Sequence, residues 1–137
     1  MAEFTTTSYG SLTAPIGVAV SPDGELYIAD NGNDVVVGFG TASDTQNLLF
    51  GSSGTGQGQF SEPTGLGLDS NGNIWVADGG NDRVEEFSST GAFLSQFGSA
   101  GSGNGKLDNP NGLAVSSTGV VSVADLGNNR IEQFGPA

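Results

Sequence analysis

"VADGGNDRVEEF", residues 76–87, sets two aspartates and an asparagine around a pair of glycines. Three readings compete for it: a calcium loop, a catalytic carboxylate pair, and a tight turn between two strands. The stretch recurs. "IADNGNDVVVGF" occupies 28–39 and "VADLGNNRIEQF" occupies 123–134. A segment that repeats is evidence about architecture before it is evidence about chemistry.

Outward from this stretch the register holds. Pro15, Pro63 and Pro110 are separated by 48 and 47 residues, as are Gly17, Gly65 and Gly112; Asp30, Asp78 and Asp125; and Phe39, Phe87 and Phe134. Phe50 and Phe97 are 47 apart, so the single extra residue falls between Phe39 and Phe50. The repeats run over about 15–62, 63–109 and 110–137, with residues 3–14 expected to complete the last one.

Each unit reads as four short strands. "PIGVAV", "PTGLGL" and "PNGLAV" alternate branched with small residues, the period-2 pattern of a strand whose small positions suit a crowded axis. "SPDGE", "DSNGN" and "SSTGV" are hairpin turns. The second strands are "LYIAD", "IWVAD" and "VSVAD", and the third are "VVVGF", "RVEEF" and "RIEQF". "NLLFG" and "FLSQFG" supply the fourth strand in two units only. Four strands in ~45 residues is the pattern of a propeller blade.

These residues resemble the NHL repeat: P-x-G-[LV]-A-V, a turn glycine, [IV]-A-D-x-G-N-x-R-[IV], then Phe. The resemblance covers almost the whole chain and implies a β-propeller, most often six-bladed. It also implies that Arg83 and Arg130 tie neighbouring blades, with Val35 in their place in the first copy. Some related propellers are lyases or lactonases using His or bound metal at one channel end, and others bind RNA through a basic face.

Composition excludes most of this chemistry. The 137 residues contain no His and no Cys, which removes a Ser-His-Asp triad, a His general base, a His-ligated zinc site and all thiol chemistry. Fifteen acidic residues against three basic ones give a net charge of −12, opposing nucleic acid and anionic membranes. A basic protein or a small molecule fits that charge better. The first ten residues have neither a basic nor an apolar signal region, and no apolar run approaches the ~20 residues of a membrane span. Both a cytoplasmic protein and a mature secreted one fit this reading.

The turn reading outweighs the metal reading for the opening stretch. Asp30, Asp78 and Asp125 at strand ends can accept N–H groups of the following turn. Gly32, Gly80 and Gly127 would supply positive φ, with Asn33, Asn81 and Asn128 tolerating it. Calcium needs about six to eight oxygens, and "DSNGNI" at 69–74 has Ile74 where an EF-hand loop needs Gly. "GSGNGKL" lacks the first Gly and the final Ser/Thr of a phosphate loop. Glu85 and Glu86 alternate in a strand and so face opposite ways. No catalytic residue, metal ligand or cofactor is expected.

Three blades cannot close a ring, since propellers need roughly four to eight. The expectation is an all-β half-propeller of three four-stranded blades, completed to six by a second copy, with a nine-bladed trimer as the alternative. Residues 3–8 of one copy would pair with 130–134 of the other. The expected role is a non-catalytic structural and interaction module, natural or engineered, with Ile16, Thr64 and Asn111 at the channel mouth. A carboxylate- or calcium-dependent hydrolase or lyase is the competing reading.

Overall fold

The computed structural model describes residues 3–4, 6–7, 10–40 and 45–136. Its strands are β1 (Thr6–Thr7), β2 (Gly10–Ser11), β3 (Pro15–Val20), β4 (Leu26–Asp30), β5 (Val35–Phe39), β6 (Gln46–Phe50), β7 (Pro63–Leu68), β8 (Ile74–Asp78), β9 (Arg83–Phe87), β10 (Phe93–Phe97), β11 (Pro110–Val115), β12 (Val121–Asp125) and β13 (Arg130–Phe134). They form antiparallel meanders β3-β4-β5-β6 (blade 1), β7-β8-β9-β10 (blade 2) and the three-stranded β11-β12-β13 (blade 3). β1 and β2 form a separate hairpin, Thr6 opposite Ser11 and Thr7 opposite Gly10.

Each blade opens the same way. Proline stands first in the inner strand, opposite the aspartate that ends the second strand: Pro15 to Asp30, Pro63 to Asp78, Pro110 to Asp125. A strand's first residue is where proline costs no ladder hydrogen bond. The register then shifts before pairing resumes at Gly17, Leu66 and Leu113.

The core lies between blades. Ala19, Tyr27, Ala29, Val36, Leu48 and Phe50 of blade 1 pack on Leu66, Leu68, Ile74, Val76, Phe87 and Phe93 of blade 2, with Phe60 from the connecting loop. Trp75, Val84 and Phe97 of blade 2 meet Leu113, Val115, Val121, Val123 and Phe134 of blade 3, with Leu107 from the next loop. Phe50 lies 4.6 Å from Phe87 and Phe97 lies 3.9 Å from Phe134, centroid to centroid. Burying a large apolar side chain stabilises by roughly 1.5–3 kcal/mol, so a sheet stacked on each face does most to hold a blade.

A third cluster sits on the open side of blade 1: Ile28, Val37 and Phe39, packed by Phe4, Leu12, Leu26 and Val35. Phe4 stands 5.0 Å from Phe39, taking toward blade 1 the place Phe50 takes toward blade 2. Thr6–Thr7, expected in a strand paired with a second copy, pairs within the chain in β1–β2.

Candidate functional site

The strand-end aspartates are the polar centres of the blades. Asp78 is fully buried, and its Oδ1 accepts the Ser61 N–H at 2.7 Å. Its Oδ2 accepts from Asn81 Nδ2 at 2.8 Å and Arg83 Nε at 3.0 Å. Asp125 repeats this with Asp108 N–H, Asn128 and Arg130 at 2.7, 2.8 and 2.9 Å. Asp30 accepts from Thr13 N–H and Asn33 at 2.9 and 2.8 Å, with Val35 in the arginine position.

The left-handed residue of this turn differs from the expected one. It is Asp34 (φ 57°), Asp82 (φ 54°) or Asn129 (φ 55°), one past the asparagine, whereas Gly32, Gly80 and Gly127 keep ordinary φ. The glycines are there for proximity. Gly80 N–H donates to Ser61 O at 2.8 Å, and a Cβ on Gly80 would fall 2.4 Å from Ser61 Oγ. Short polar side chains adopt the left-handed conformation at low cost, so Asp and Asn can take over the positive φ.

Arg83 fastens the preceding connector to blade 2. Beyond Asp78 it donates to the carbonyls of Thr55, Gly56 and Gln59 at 2.9, 2.8 and 2.7 Å. Arg130 does the same with Ser102, Gly103 and Lys106. Each arginine also meets the carboxylate two residues on: Glu85 at 3.1 Å, Glu132 at 3.7 Å. Glu85 is fully buried; its Oε2 accepts Gly58 N–H, while Oε1 has the ion pair but no hydrogen bond. The sequence reading weighed Glu85 only against Glu86 and missed its pairing with the arginine, although R-x-E recurs at 83–85 and 130–132 and both positions turn to valine together at 35 and 37.

Electrostatics follow cover. Burial pushes the Asp78 and Glu85 carboxyls above their ordinary values, against the hydrogen bonds and the Arg83 charge that hold them ionised. Burial also acts on Asp125, but the Asp108 N–H, Asn128 and Arg130 outweigh it, and its carboxyl lies below the ordinary value. Both aspartates are closed to solvent; blade 2 has a blade on either side, whereas blade 3 is open on one, so less protein surrounds Asp125. Tyr27 is buried, and that burial with its hydrogen bond to Glu25 lifts its hydroxyl to about 12.

The three positions placed at a channel mouth diverge. Ile16 is 53% exposed on β3. Thr64 is buried, its hydroxyl within 3.2 Å of the Ala77, Pro110 and Asn111 carbonyls at the junction of blades 2 and 3. Asn111 is half-buried across from it. Trp75 packs toward blade 3 and donates Nε1–H to Asp69. A shallow cleft of about 310 Å³ lies along Glu25, Tyr27, Asn47, Leu48, Ser89 and Thr90. Among the described residues no three His, Cys, Asp or Glu gather as a metal-binding group, and no helix is long and apolar enough to cross a membrane.

The NHL repeat matches residues 12–39, 60–87 and 107–134, each running from an apolar loop residue to the phenylalanine closing the third strand. The chain belongs to the NHL-repeat family. No curated protein matches the sequence. Among solved structures, an auxiliary nutrient binding protein from Bacteroides thetaiotaomicron is similar with a TM-score of 0.74 and 13% identity, over 96% of this chain and 39% of that one. Virginiamycin B lyase from Staphylococcus aureus, in a catalytically inactive histidine-to-alanine form, is similar with a TM-score of 0.65 and 13% identity, over 91% and 42%. Regucalcin from Agrobacterium tumefaciens, described as a calcium-binding protein, gives 0.63 and 15%, over 92% and 47%. This NHL chain spans less than half of each, and at such identities the likeness shows the β-propeller fold alone.

Proposed function

We propose that this NHL chain is a non-catalytic structural and interaction module that completes a six-bladed propeller with a second copy of itself. One observation carries the reading. β3 turns Val18 and Val20 to solvent at 65% and 62% exposure, whereas Leu66 and Leu68, their counterparts in blade 2, pack in the cluster against blade 1. At the other end, a Cβ on Gly112 would meet nothing within 4 Å, whereas one on Gly65 would fall 2.5 Å from Asn111 O. Each end lacks what the other carries, and such a head-to-tail contact closes into a ring when the rotation allows.

The absence of catalysis rests on chemistry. A related lyase is inactive when one histidine becomes alanine, and this chain contains no His. Arg83 and Arg130 are committed to Asp78 and Asp125, which leaves no basic face for nucleic acid. Light scattering across a dilution series tests the assembly. The expected mass is twice the 13.7 kDa of the chain; a folded monomer at every concentration, or a trimer, overturns it.

A further inference from the structure

Resting on that assembly reading, we infer that the contact between copies is specified by Ile131, Leu126 and Asn129 of one copy against Phe4 and Ala14–Pro15 of the other. The internal junctions supply the template. Val36 and Val84 are fully buried, one under Phe50 and the other under Phe97, to which they are paired in register. Their counterpart Ile131 is 65% exposed, and β13 has no fourth strand among the described residues. Phe4 is already seated on Phe39 with the partner its counterparts have, and lacks only the branched residue across from it.

The polar contact repeats as well. Asp34 Oδ1 accepts the Glu62 N–H of the next blade at 2.7 Å, and Asp82 Oδ1 accepts that of Asn109 at 2.7 Å. Glu62 and Asn109 have φ of 54° and 52°, and Ala14, their counterpart, has 55°. The acceptor facing Ala14 would be Asn129, which keeps the left-handed φ and an amide oxygen in place of a carboxylate. The position before the turn also faces the following blade: Asn31 donates to Pro63 O at 3.1 Å, and a Cβ on Gly79 would lie 3.2 Å from Pro110 O. In blade 3 that position is Leu126, 54% exposed, a residue that would cover Pro15 of the second copy.

The distribution of apolar surface favours a second copy over an unrelated partner. Seven large hydrophobics are exposed among the described residues, and four of them (Val18, Val20, Leu126 and Ile131) hold positions whose counterparts face a neighbouring blade. Packing them on each other reproduces the buried cluster between blades 2 and 3. Phe4, Leu12, Leu26, Ile28 and Phe39 stand for Phe97, Leu107, Val121, Val123 and Phe134. The cluster on blade 1 lacks a counterpart to Val84, and Ile131 of a second copy supplies it.

Cysteine cross-linking of the full chain tests this, because the sequence contains no Cys. The pair Phe4→Cys with Ile131→Cys occupies facing strand positions, where roughly 4.5–5.5 Å between Cα atoms suits a disulfide. A covalent dimer under oxidation is expected, alongside a control pair, Val18→Cys with Ala114→Cys, on the inner strands. Cross-linking of the control pair alone overturns the specified contact and leaves the assembly standing; a monomeric parent chain removes both. Ile131→Asp, at an exposed site that should spare folding, is expected to raise the dimer dissociation constant roughly tenfold or more. An unchanged constant overturns the inference even where the cysteine variants fail to fold.

Discussion

Arg83 donates its Nε–H to Asp78 Oδ2 at 3.0 Å from a side chain only 9% exposed, while the matching pair Arg130–Asp125, at 2.9 Å, leaves its arginine 28% exposed. The bonds are the same and the surroundings differ, which makes the two sites a controlled comparison. Asp78→Ala would leave Arg83 buried with Glu85 as its only carboxylate and the Ser61 N–H without its acceptor. The expected loss is about 3–5 kcal/mol, the range for breaking a buried pair from one side. Asp125→Ala is expected to cost about 1–3 kcal/mol, because water can solvate the stranded Arg130. Urea unfolding at low protein concentration measures both, and equal losses would remove the argument from cover.

Glu85 and Asp78 govern the pH response. Their ordinary values are 4.5 and 3.8, and burial raises both in the folded chain. A folded value above the unfolded one means that folding favours the protonated form. That contribution is fully present below the unfolded value and is lost as pH rises through the folded value. Asp125, lowered, contributes oppositely, and its share is lost only as pH falls below the ordinary carboxylate range. Tm should therefore rise as pH falls from neutral toward the ordinary carboxylate range. Glu85→Gln should flatten that rise, and a wild-type Tm independent of pH over this interval would contradict it.

The spacing of Pro, Gly, Asp and Phe made the strand plan legible because a repeated residue must meet the same neighbours in every copy. Four-stranded blades 1 and 2 and the three-stranded blade 3 follow that plan. What spacing alone did not reveal depends on through-space neighbours. Positive φ belongs to Asp34, Asp82 and Asn129 because the preceding glycines are pinned against Thr13, Ser61 and Asp108. Nothing in a linear pattern distinguishes a glycine needed for φ from one needed for closeness. Thr64 likewise reads as a variable position between Pro and Gly, and only the approach of blade 3 turns its hydroxyl into a buried donor. Phe4 lies 11 residues before its proline, whereas Phe50 and Phe97 lie 13 before theirs, so spacing hid an equivalence that its packing on Phe39 reveals.

Calcium should leave the chain unmoved. Both oxygens of Asp78 and of Asp125 already accept N–H groups. A cation there would have to displace an arginine and open a turn. A ligand present at 100 times its dissociation constant adds about 2.7 kcal/mol to stability, an effect plainly visible in Tm. No shift is expected on adding millimolar Ca²⁺. A rise abolished by Asp78→Ala would return the opening stretch to the metal reading.

Gly65 and Gly112 hold equivalent places in β7 and β11, and alanine separates their roles. At Gly65 a Cβ would fall 2.5 Å from Asn111 O and 2.8 Å from Gly112 Cα, both backbone atoms of the neighbouring strand. Gly65→Ala must therefore push blades 2 and 3 apart, at a cost of about 1–3 kcal/mol in the single chain. Gly112 has nothing within 4 Å and an ordinary φ, so alanine there should leave the isolated chain as stable as before. In the assembled ring the same methyl would meet the Ile16 carbonyl of the second copy, as one on Gly17 would meet Thr64 O. Thermal melts at low concentration should distinguish Gly65→Ala from wild type but not Gly112→Ala. Sedimentation at high concentration should show Gly112→Ala dissociated where wild type is dimeric. If Gly112→Ala dimerises like the parent, the inner strands do not meet across copies, and a different surface must hold any dimer together.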